Sequence, residues 1–128
     1  MEHKDKYDIH TAADLLSEKV HLANAHWWKD NDGIDIRENP LTFSNKLMLI
    51  VTEVAEACEG DRKELMDDKL PHRQMREVEL ADVLLRVIDL AAGFGLDLAG
   101  AVVEKMEYNA KRADHKIENR KSNGGKKF

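Results

Sequence analysis

Two pairs of acidic residues are the part of this sequence best suited to chemistry. Glu53 and Glu56 lie three residues apart in one apolar segment, and Glu79 and Asp82 have the same spacing in another. Residues three apart in a helix share a face, so each pair would present two carboxylates side by side. Because the neighbours of both pairs are apolar, we expect part of each acidic face to point toward the interior of the fold.

Carboxylates gathered inside a fold repel one another and lose hydration, unless protons or a cation neutralise them. A hard divalent cation suits a ligand set made only of oxygen atoms, which favours Mg²⁺, Mn²⁺ or Ca²⁺ over zinc or copper. A single pair with this spacing is common on solvated helices, but two pairs in consecutive apolar segments favour a shared site. The sequence therefore predicts a metal site whose ligands are Glu53, Glu56, Glu79 and Asp82.

Four amphipathic helices are predicted to position these acids. Apolar residues recur at three- and four-residue spacing in four segments, of which the second and third carry the acid pairs: about 9–28, 42–62, 72–92 and 97–110. Pro40, Pro71 and the stretch from Gly93 to Gly95 mark the connections. Because no segment shows a convincing strand pattern, the sequence predicts an all-α bundle of four to five helices over residues 1–118, followed by a basic flexible tail over residues 119–128.

The same spacing predicts which residues face the core. In the first helix the expected apolar stripe is Ala13, Leu16, Val20, Ala23 and Trp27. In the second and third helices the expected core positions are Leu47, Ile50, Val54, Ala57, Val78, Ala81, Leu85, Ile88 and Ala92. Apolar stripes on several helices of a short bundle also favour pairing between chains.

Composition and charge exclude several classes of protein. The chain has 128 residues, enough for one domain, and its one cysteine, Cys58, excludes an intrachain disulfide and a cysteine-based zinc site. We therefore expect a cytoplasmic location. We also expect no membrane segment, because no apolar run approaches the roughly 20 residues of a spanning helix. Residues 111–128 carry seven basic and two acidic side chains, a balance of +5, whereas residues 1–110 carry 13 basic and 23 acidic ones, a balance of −10. An acidic body does not suit stable nucleic-acid binding.

The acid pairs and the C-terminal segment stand in an order that resembles a known family. Glu53-x-x-Glu56 followed by Glu79-x-x-Asp82 is similar to the E-x-x-E and E-x-x-D signature of the MazG-like, all-α nucleoside triphosphate pyrophosphohydrolases. Segment 46–57 (KLMLIVTEVAEA) resembles the second helix of small phage and bacterial members. Their C-terminal part is similar to the segments 105–112 (KMEYNAKR) and 124–128 (GGKKF). The likeness covers most of residues 26–128.

The resemblance implies hydrolysis of a nucleoside triphosphate between its α and β phosphates, which yields a monophosphate and pyrophosphate. It implies Mg²⁺ as the cofactor, or Mn²⁺ in its place, held by the four acids. Glu53 and Glu56 are the candidates for orienting or deprotonating the attacking water. The family is oligomeric, which implies a homodimer or a homotetramer. A non-enzymatic helical adaptor or regulator, in which the acids only solvate the bundle, is the alternative function.

Basic and polar residues near the C-terminus are the candidate phosphate ligands. Lys105, Asn109 and Arg112 share one side of the fourth predicted helix at four- and three-residue spacing, so they can face one anion together. Asn109 in particular matches the family pattern. Lys126, which follows two glycines, is the candidate for a flap that closes over the phosphates.

Trp27 and Trp28 are the candidates for contact with the base, because the resemblance implies that a tryptophan from this region stacks on it. Helical spacing places one of the two in the core and the other nearer the site, and we expect Trp28 to touch the base. The chain departs from the family pattern at Asn123, where relatives often carry His, and at Arg86, where some carry a Tyr associated with the nucleotide. Base and sugar preference therefore stay open.

Overall fold

The fold is made of α-helices. The computed structural model describes residues 1–112 and 116–127, and in these ranges the chain forms no β-strand and two short 3₁₀ helices, Ala25–Trp28 and Ile36–Glu38. Its α-helices in the same ranges are α1 (His3–Asn24), α2 (Thr42–Arg62), α3 (Met75–Gly93), α4 (Leu98–Lys111) and α5 (Ile117–Lys121). The predicted all-α fold of four to five helices is confirmed. Within the described ranges, none of the helices is long and apolar enough to cross a membrane.

The chain divides into two compact units. The acid-bearing unit comprises residues 16–96 and contains α2, α3 and the end of α1. The terminal unit comprises residues 1–15 and 97–128 and contains α4, α5 and the start of α1. The short helix α5 spans the predicted boundary between residues 118 and 119. The division into one domain and a flexible tail stays a prediction.

A structured loop joins α2 to α3 and lets the two helices pack together. The Asp67 carboxylate, buried in this loop, accepts hydrogen bonds from the backbone N–H groups of Lys69 at 2.9 Å and Leu70 at 2.7 Å. The Met75 N–H donates to the Leu65 carbonyl at 2.9 Å and closes the loop where α3 begins. Because the loop uses these backbone groups, α3 begins a few residues later than the sequence pattern predicts.

The end of α1 presents a different face to the core from the one predicted. Val20 and Trp28 are buried, whereas Trp27 is 66% exposed and Leu16 is also exposed. The α-helical periodicity does not extend past Asn24, where the chain becomes a 3₁₀ helix. A stripe calculated for one continuous α-helix therefore does not hold at the tryptophans. The prediction that Trp27 continues the core face is wrong.

Trp28 anchors the end of α1 on α3. Its Nε1–H donates to both oxygens of the Asp89 carboxylate, at 3.2 Å and 3.1 Å. Its ring meets the ring of Phe94 edge-on, with 5.7 Å between centroids. Gly93 lies so close that a Cβ atom there would overlap two carbons of the indole. A glycine is therefore required at this position by the approach of the ring to the backbone.

The contact faces of α2 and α3 are partly polar. The buried residues of the two helices include Thr42, Glu53, Glu79 and Asp89 beside Ala57 and Ile88. Of these, Glu53 and Glu79 meet between the helices. The core predictions for Ala57 and Ile88 are confirmed, but those for Leu47, Val54, Ala81 and Leu85 are wrong, since these four are exposed. Because acids occupy part of the contact faces, apolar residues are left on the outer faces of both helices.

Within the terminal unit, α4 begins with a side-chain cap. Asp97 accepts a hydrogen bond from the Gly100 N–H at 2.9 Å and satisfies a donor of the first turn. Lys6 of α1 forms an ion pair with Glu107 of α4, with 2.5 Å between Nζ and Oε1. These contacts, together with buried alanine and valine side chains of α4, define the unit.

Replacing Gly93 with alanine is expected to lower the free energy of unfolding by about 1–3 kcal/mol, since the added methyl group overlaps the buried Trp28 ring. The control makes the same Gly93→Ala change in a Trp28→Ala background, where the ring is absent and the added methyl group has room. Chemical denaturation in both backgrounds measures the difference. Equal losses of stability would contradict a rigid contact between Gly93 and Trp28.

Candidate metal centre

Three carboxylates from two helices meet at the centre of the candidate site. Glu53, Glu56 and Glu79 each place one carboxylate oxygen within 4.8 Å of the others. Glu53 and Glu79 are buried where α2 and α3 pack, and Glu56 is exposed. The three-residue spacing of Glu53 and Glu56 sets both carboxylates on one side of α2. The structure therefore brings together three of the four predicted metal ligands.

Asp82, the fourth predicted ligand, lies close to these acids on α3. Among the described residues it is not part of the group whose oxygens lie within 4.8 Å of one another. Burial raises the pKa of Asp82, and the negative charge of Glu53 raises it further. The carboxylate is thus within electrostatic reach of the other three.

Crowding keeps protons in the site near neutral pH. Burial raises the pKa of Glu79 to about 7, and the hydrogen bond with Glu53 and the charges of Glu56 and Asp82 act in the same direction. The hydrogen bond and the charge of Glu53 likewise raise the pKa of Glu56. Without a metal, the acids therefore share protons instead of carrying four negative charges. A cation that replaces those protons would be bound favourably.

Arg86 is the counterion of Glu53. Its Nε–H donates to Glu53 Oε1 at 2.6 Å. Burial alone would raise the pKa of Glu53, but the hydrogen bonds with Arg86, Glu56 and Glu79 outweigh it, so the pKa lies below its usual value. Glu53 is therefore the member of the group that stays ionised.

A cavity of about 560 Å³ opens beside the acids, within the acid-bearing unit. Its lining comes from the end of α1, from the 3₁₀ helix that follows, and from α2 and α3: Asn24, Trp27, Lys46, Glu53, Asp82, Leu85, Arg86 and Asp89. Two cations, an exposed indole and three carboxylates thus face one space. A volume of this size lies in the range of pockets that hold small molecules, roughly 300–1,000 Å³.

Trp27, rather than Trp28, lines this cavity. Trp28 is 3% exposed, and its N–H is bonded to Asp89. Lys46 Nζ lies 4.4 Å from the centre of its ring and Arg37 Cζ lies 5.3 Å from it. The expectation that Trp28 touches the base is corrected, because protein groups already occupy its ring and its N–H. Trp27 is the tryptophan left exposed for a ligand.

Lys105, Asn109 and Arg112, the predicted phosphate ligands, lie at the end of α4 in the terminal unit. The Lys105 ammonium lies 4.8 Å, and the Arg112 guanidinium 5.9 Å, from the centre of the Tyr108 ring. The Asn109 side-chain oxygen is buried without a hydrogen-bond partner in the part of the chain that the structure describes. The role of these residues as phosphate ligands stays a prediction, as does that of Lys126, which is exposed after α5.

Lys46 and Asp89 are two site residues that the acid motif does not predict. A signal for both is present in the sequence, because Lys46 precedes Glu53 by seven residues and Asp89 follows Asp82 by seven. Seven residues are about two helical turns, so each lies on the same face as its acid. Following the two acidic faces for two more turns would have located both residues.

No family model, no curated protein and no solved structure matches this chain. A function for this chain is therefore inferred from the residues of the site and from their resemblance to the MazG-like pattern. Membership of that family stays a prediction.

The pKa of Glu79 predicts how stability depends on pH in the absence of metal. The folded chain holds this proton up to a pH of about 7, whereas the ordinary value is 4.5. The unfolded state therefore binds fewer protons between these values, and the free energy of unfolding falls as pH rises through this window. Glu79→Gln removes the ionisation, so the variant should gain stability relative to the parent from pH 4.5 to pH 7. Denaturation in a chelator measures this gain.

Glu77→Gln is the matched control for this experiment, because Glu77 is exposed on the same helix and paired with Arg73 at 3.0 Å. Its stability relative to the parent should not rise over the same window. If Glu79→Gln and the parent show parallel pH profiles, the carboxyl of Glu79 does not titrate as described.

Proposed function

We propose that this chain is a Mg²⁺-dependent nucleoside triphosphate pyrophosphohydrolase of the MazG-like type. It would convert an NTP or dNTP to the monophosphate and pyrophosphate, and so clean or regulate a cytoplasmic nucleotide pool. The observation that carries the proposal is the meeting of three carboxylates from two packed helices beside a cavity that also holds two cations. Acids suited to a divalent cation and cations suited to phosphate oxygens are both needed for this chemistry.

The donor set fits a hard divalent cation. Glu53, Glu56 and Glu79 offer only oxygen atoms, with one from each within 4.8 Å of the others, and Asp82 lies within electrostatic reach. The pKa of Glu79 is raised by burial and by the negative charges around it. A bound cation would offset the repulsion among these charges. We therefore propose Mg²⁺, or Mn²⁺ in its place. When bound, such a cation offsets phosphate charge and acidifies water.

Glu56 is the acid that we assign to the attacking water. Its carboxylate is exposed, so water can reach it, and Glu53 raises its pKa, which strengthens it as a proton acceptor. Glu53 is held by Arg86 and keeps its charge, which suits a fixed ligand better than a base. In this scheme Glu56 takes a proton from water, the water oxygen attacks the α-phosphorus, and the bond to the bridging oxygen breaks to release pyrophosphate.

Trp27 supports a nucleotide as the class of substrate. Its exposed indole lines the same cavity as Lys46 and Arg86. One space therefore offers an aromatic surface on which a base can stack and positive charges for phosphate oxygens. Nothing in the lining favours one base over another, so a panel of nucleotides is the appropriate substrate set.

Pyrophosphate release from the common NTPs and dNTPs, measured with and without Mg²⁺, tests the proposed reaction. Glu56→Gln is expected to lower kcat by about 100-fold or more, because the amide cannot accept the proton of the attacking water. Glu59→Gln is the matched control on the same helix. The Glu59 carboxylate pairs with Lys63 at 2.6 Å and Arg62 at 3.0 Å, so its removal should leave turnover nearly unchanged.

The proposal fails if the folded protein releases no pyrophosphate from any nucleotide in Mg²⁺. If nucleotide binding is absent as well, the adaptor or regulator becomes the better interpretation. Release that is unaffected by Glu56→Gln would retain the reaction but refute the assignment of the base.

We further propose that the chain forms a homodimer or a homotetramer. One side of α2 exposes a stripe of large apolar residues, and α3 exposes two more: Phe43, Leu47, Val51, Val54, Leu80 and Leu84. The members of the α2 stripe recur at four- and three-residue spacing and so share one side of the helix. Exposed apolar surface of this kind is typical of contacts between chains.

Val51→Glu, in the middle of the α2 stripe, is expected to shift the protein toward smaller species, because a charge would be buried in the contact between chains. Light scattering after size-exclusion chromatography measures the molar mass. Thr52→Glu is the control, since Thr52 is exposed on α2 but lies outside the stripe. A parent protein that is monomeric at high concentration would refute the proposed assembly.

A further inference from the structure

The cavity beside the acids contains a cation that forms no ion pair with any described residue. Lys46 is half-buried on α2, and its ammonium lies 4.4 Å from the centre of the Trp28 ring. It forms neither a hydrogen bond nor an ion pair with any residue that the structure describes. Arg86, the other cation of the lining, is by contrast paired with Glu53 at 2.6 Å. Lys46 therefore has donors that are free to bind a ligand.

The ring beneath Lys46 is fixed in place. Trp28 donates to Asp89, and the same carboxylate lies 2.8 Å from Nδ1 of His21. Gly93 contacts the ring from α3. The indole is thus a rigid platform, and a cation over its face is held by the charge distribution of the ring. Lys46 is consequently positioned at the cavity instead of extending into solvent.

The surroundings of Lys46 make its lack of an ion pair unfavourable. Burial lowers the pKa of Lys46, the negative charge of Asp89 opposes this, and the positive charge of Arg86 adds to it. The Asp89 oxygens are already bonded to Trp28 and His21. A partly dehydrated cation with a second cation nearby is stabilised when an anion binds to it.

We propose that Lys46 forms an anion subsite in this cavity and binds phosphate oxygens of the substrate. The inference rests on the proposed function only for the choice of a nucleotide as the source of the phosphates; the subsite itself rests on the unpaired cation over Trp28. The lining holds three acids, Glu53, Asp82 and Asp89, and two basic residues. Its net charge is therefore −1 when all five are ionised. We therefore expect a phosphate ligand to bind tightly only when Mg²⁺ is present.

Calorimetric titration of inorganic pyrophosphate in Mg²⁺ tests this subsite. Lys46→Met keeps the apolar stem but removes the charge, and it is expected to weaken binding about tenfold, as for loss of a charge-assisted hydrogen bond. Lys46→Arg keeps the charge and should lose less affinity. Lys63→Met is the matched control, because Lys63 directly follows the same helix, is exposed and pairs with Glu59.

A second arm repeats the titrations with a nucleotide whose α–β bridging oxygen is replaced by a non-hydrolysable imido group. If Lys46 binds phosphates of the nucleotide, Lys46→Met weakens both ligands. If it weakens free pyrophosphate alone, the ligand of the subsite is the released product and the assignment to the substrate is wrong. Equal affinities of Lys46→Met and Lys63→Met for pyrophosphate, or no binding by the parent in Mg²⁺, overturn the subsite.

Acetylation of the parent protein gives a measurement that needs no variant to fold. Pyrophosphate with Mg²⁺ should protect Lys46 from the reagent and leave Lys63 reactive, as read by mass spectrometry of peptides. Unchanged labelling of Lys46 would refute the proposal. Lys46-dependent binding without nucleotide turnover would refute the proposed function alone, whereas turnover with binding independent of Lys46 would refute the subsite alone.

Discussion

Repulsion among carboxylates on facing helices is the constraint on which the acid-bearing unit depends. Glu53 and Glu79 are buried where α2 and α3 pack, a position at which apolar side chains would be more favourable. The structure offsets this in two ways, because Glu79 keeps a proton up to a pH of about 7 and Glu53 is paired with Arg86. A bound cation could take the place of both the proton on Glu79 and the ion pair of Glu53 with Arg86. The packing of the two helices and the metal binding that we propose are thus aspects of one electrostatic balance.

A second consequence of the acidic contact faces is the distribution of apolar residues. The faces of α2 and α3 that meet hold Glu53 and Glu79, whereas Leu47 and Val54 are exposed. The unit therefore obtains part of its stability from a peripheral anchor, in which Trp28 closes the end of α1 onto α3. Lys46 and Asp89 line the cavity and also contact Trp28, so the cavity and the peripheral core share these two residues.

The sequence was sufficient to predict the all-α fold, the approximate extent of α2, and the meeting of Glu53, Glu56 and Glu79. These depend on local periodicity and on the adjacency of consecutive helices, which spacing reports well. It did not predict that Trp28 is buried, because this follows from a 3₁₀ helix after Asn24 and from a bond to Asp89, which is far away in the sequence. It predicted the core faces of α2 and α3 only in part, because hydrophobic patterning assigns apolar residues to the interior, and here acids take part of that place.

The close approach of Trp28 to Gly93 also bears on how this sequence can diverge. Two positions far apart in the chain share a single volume, so neither can be changed freely while the other is kept. A large ring at one position requires the absence of a side chain at the other, and a smaller residue in place of the tryptophan would make room for one. Among descendants of this chain the two positions are expected to covary, and the residue at 93 would report indirectly whether the platform beneath Lys46 has been retained.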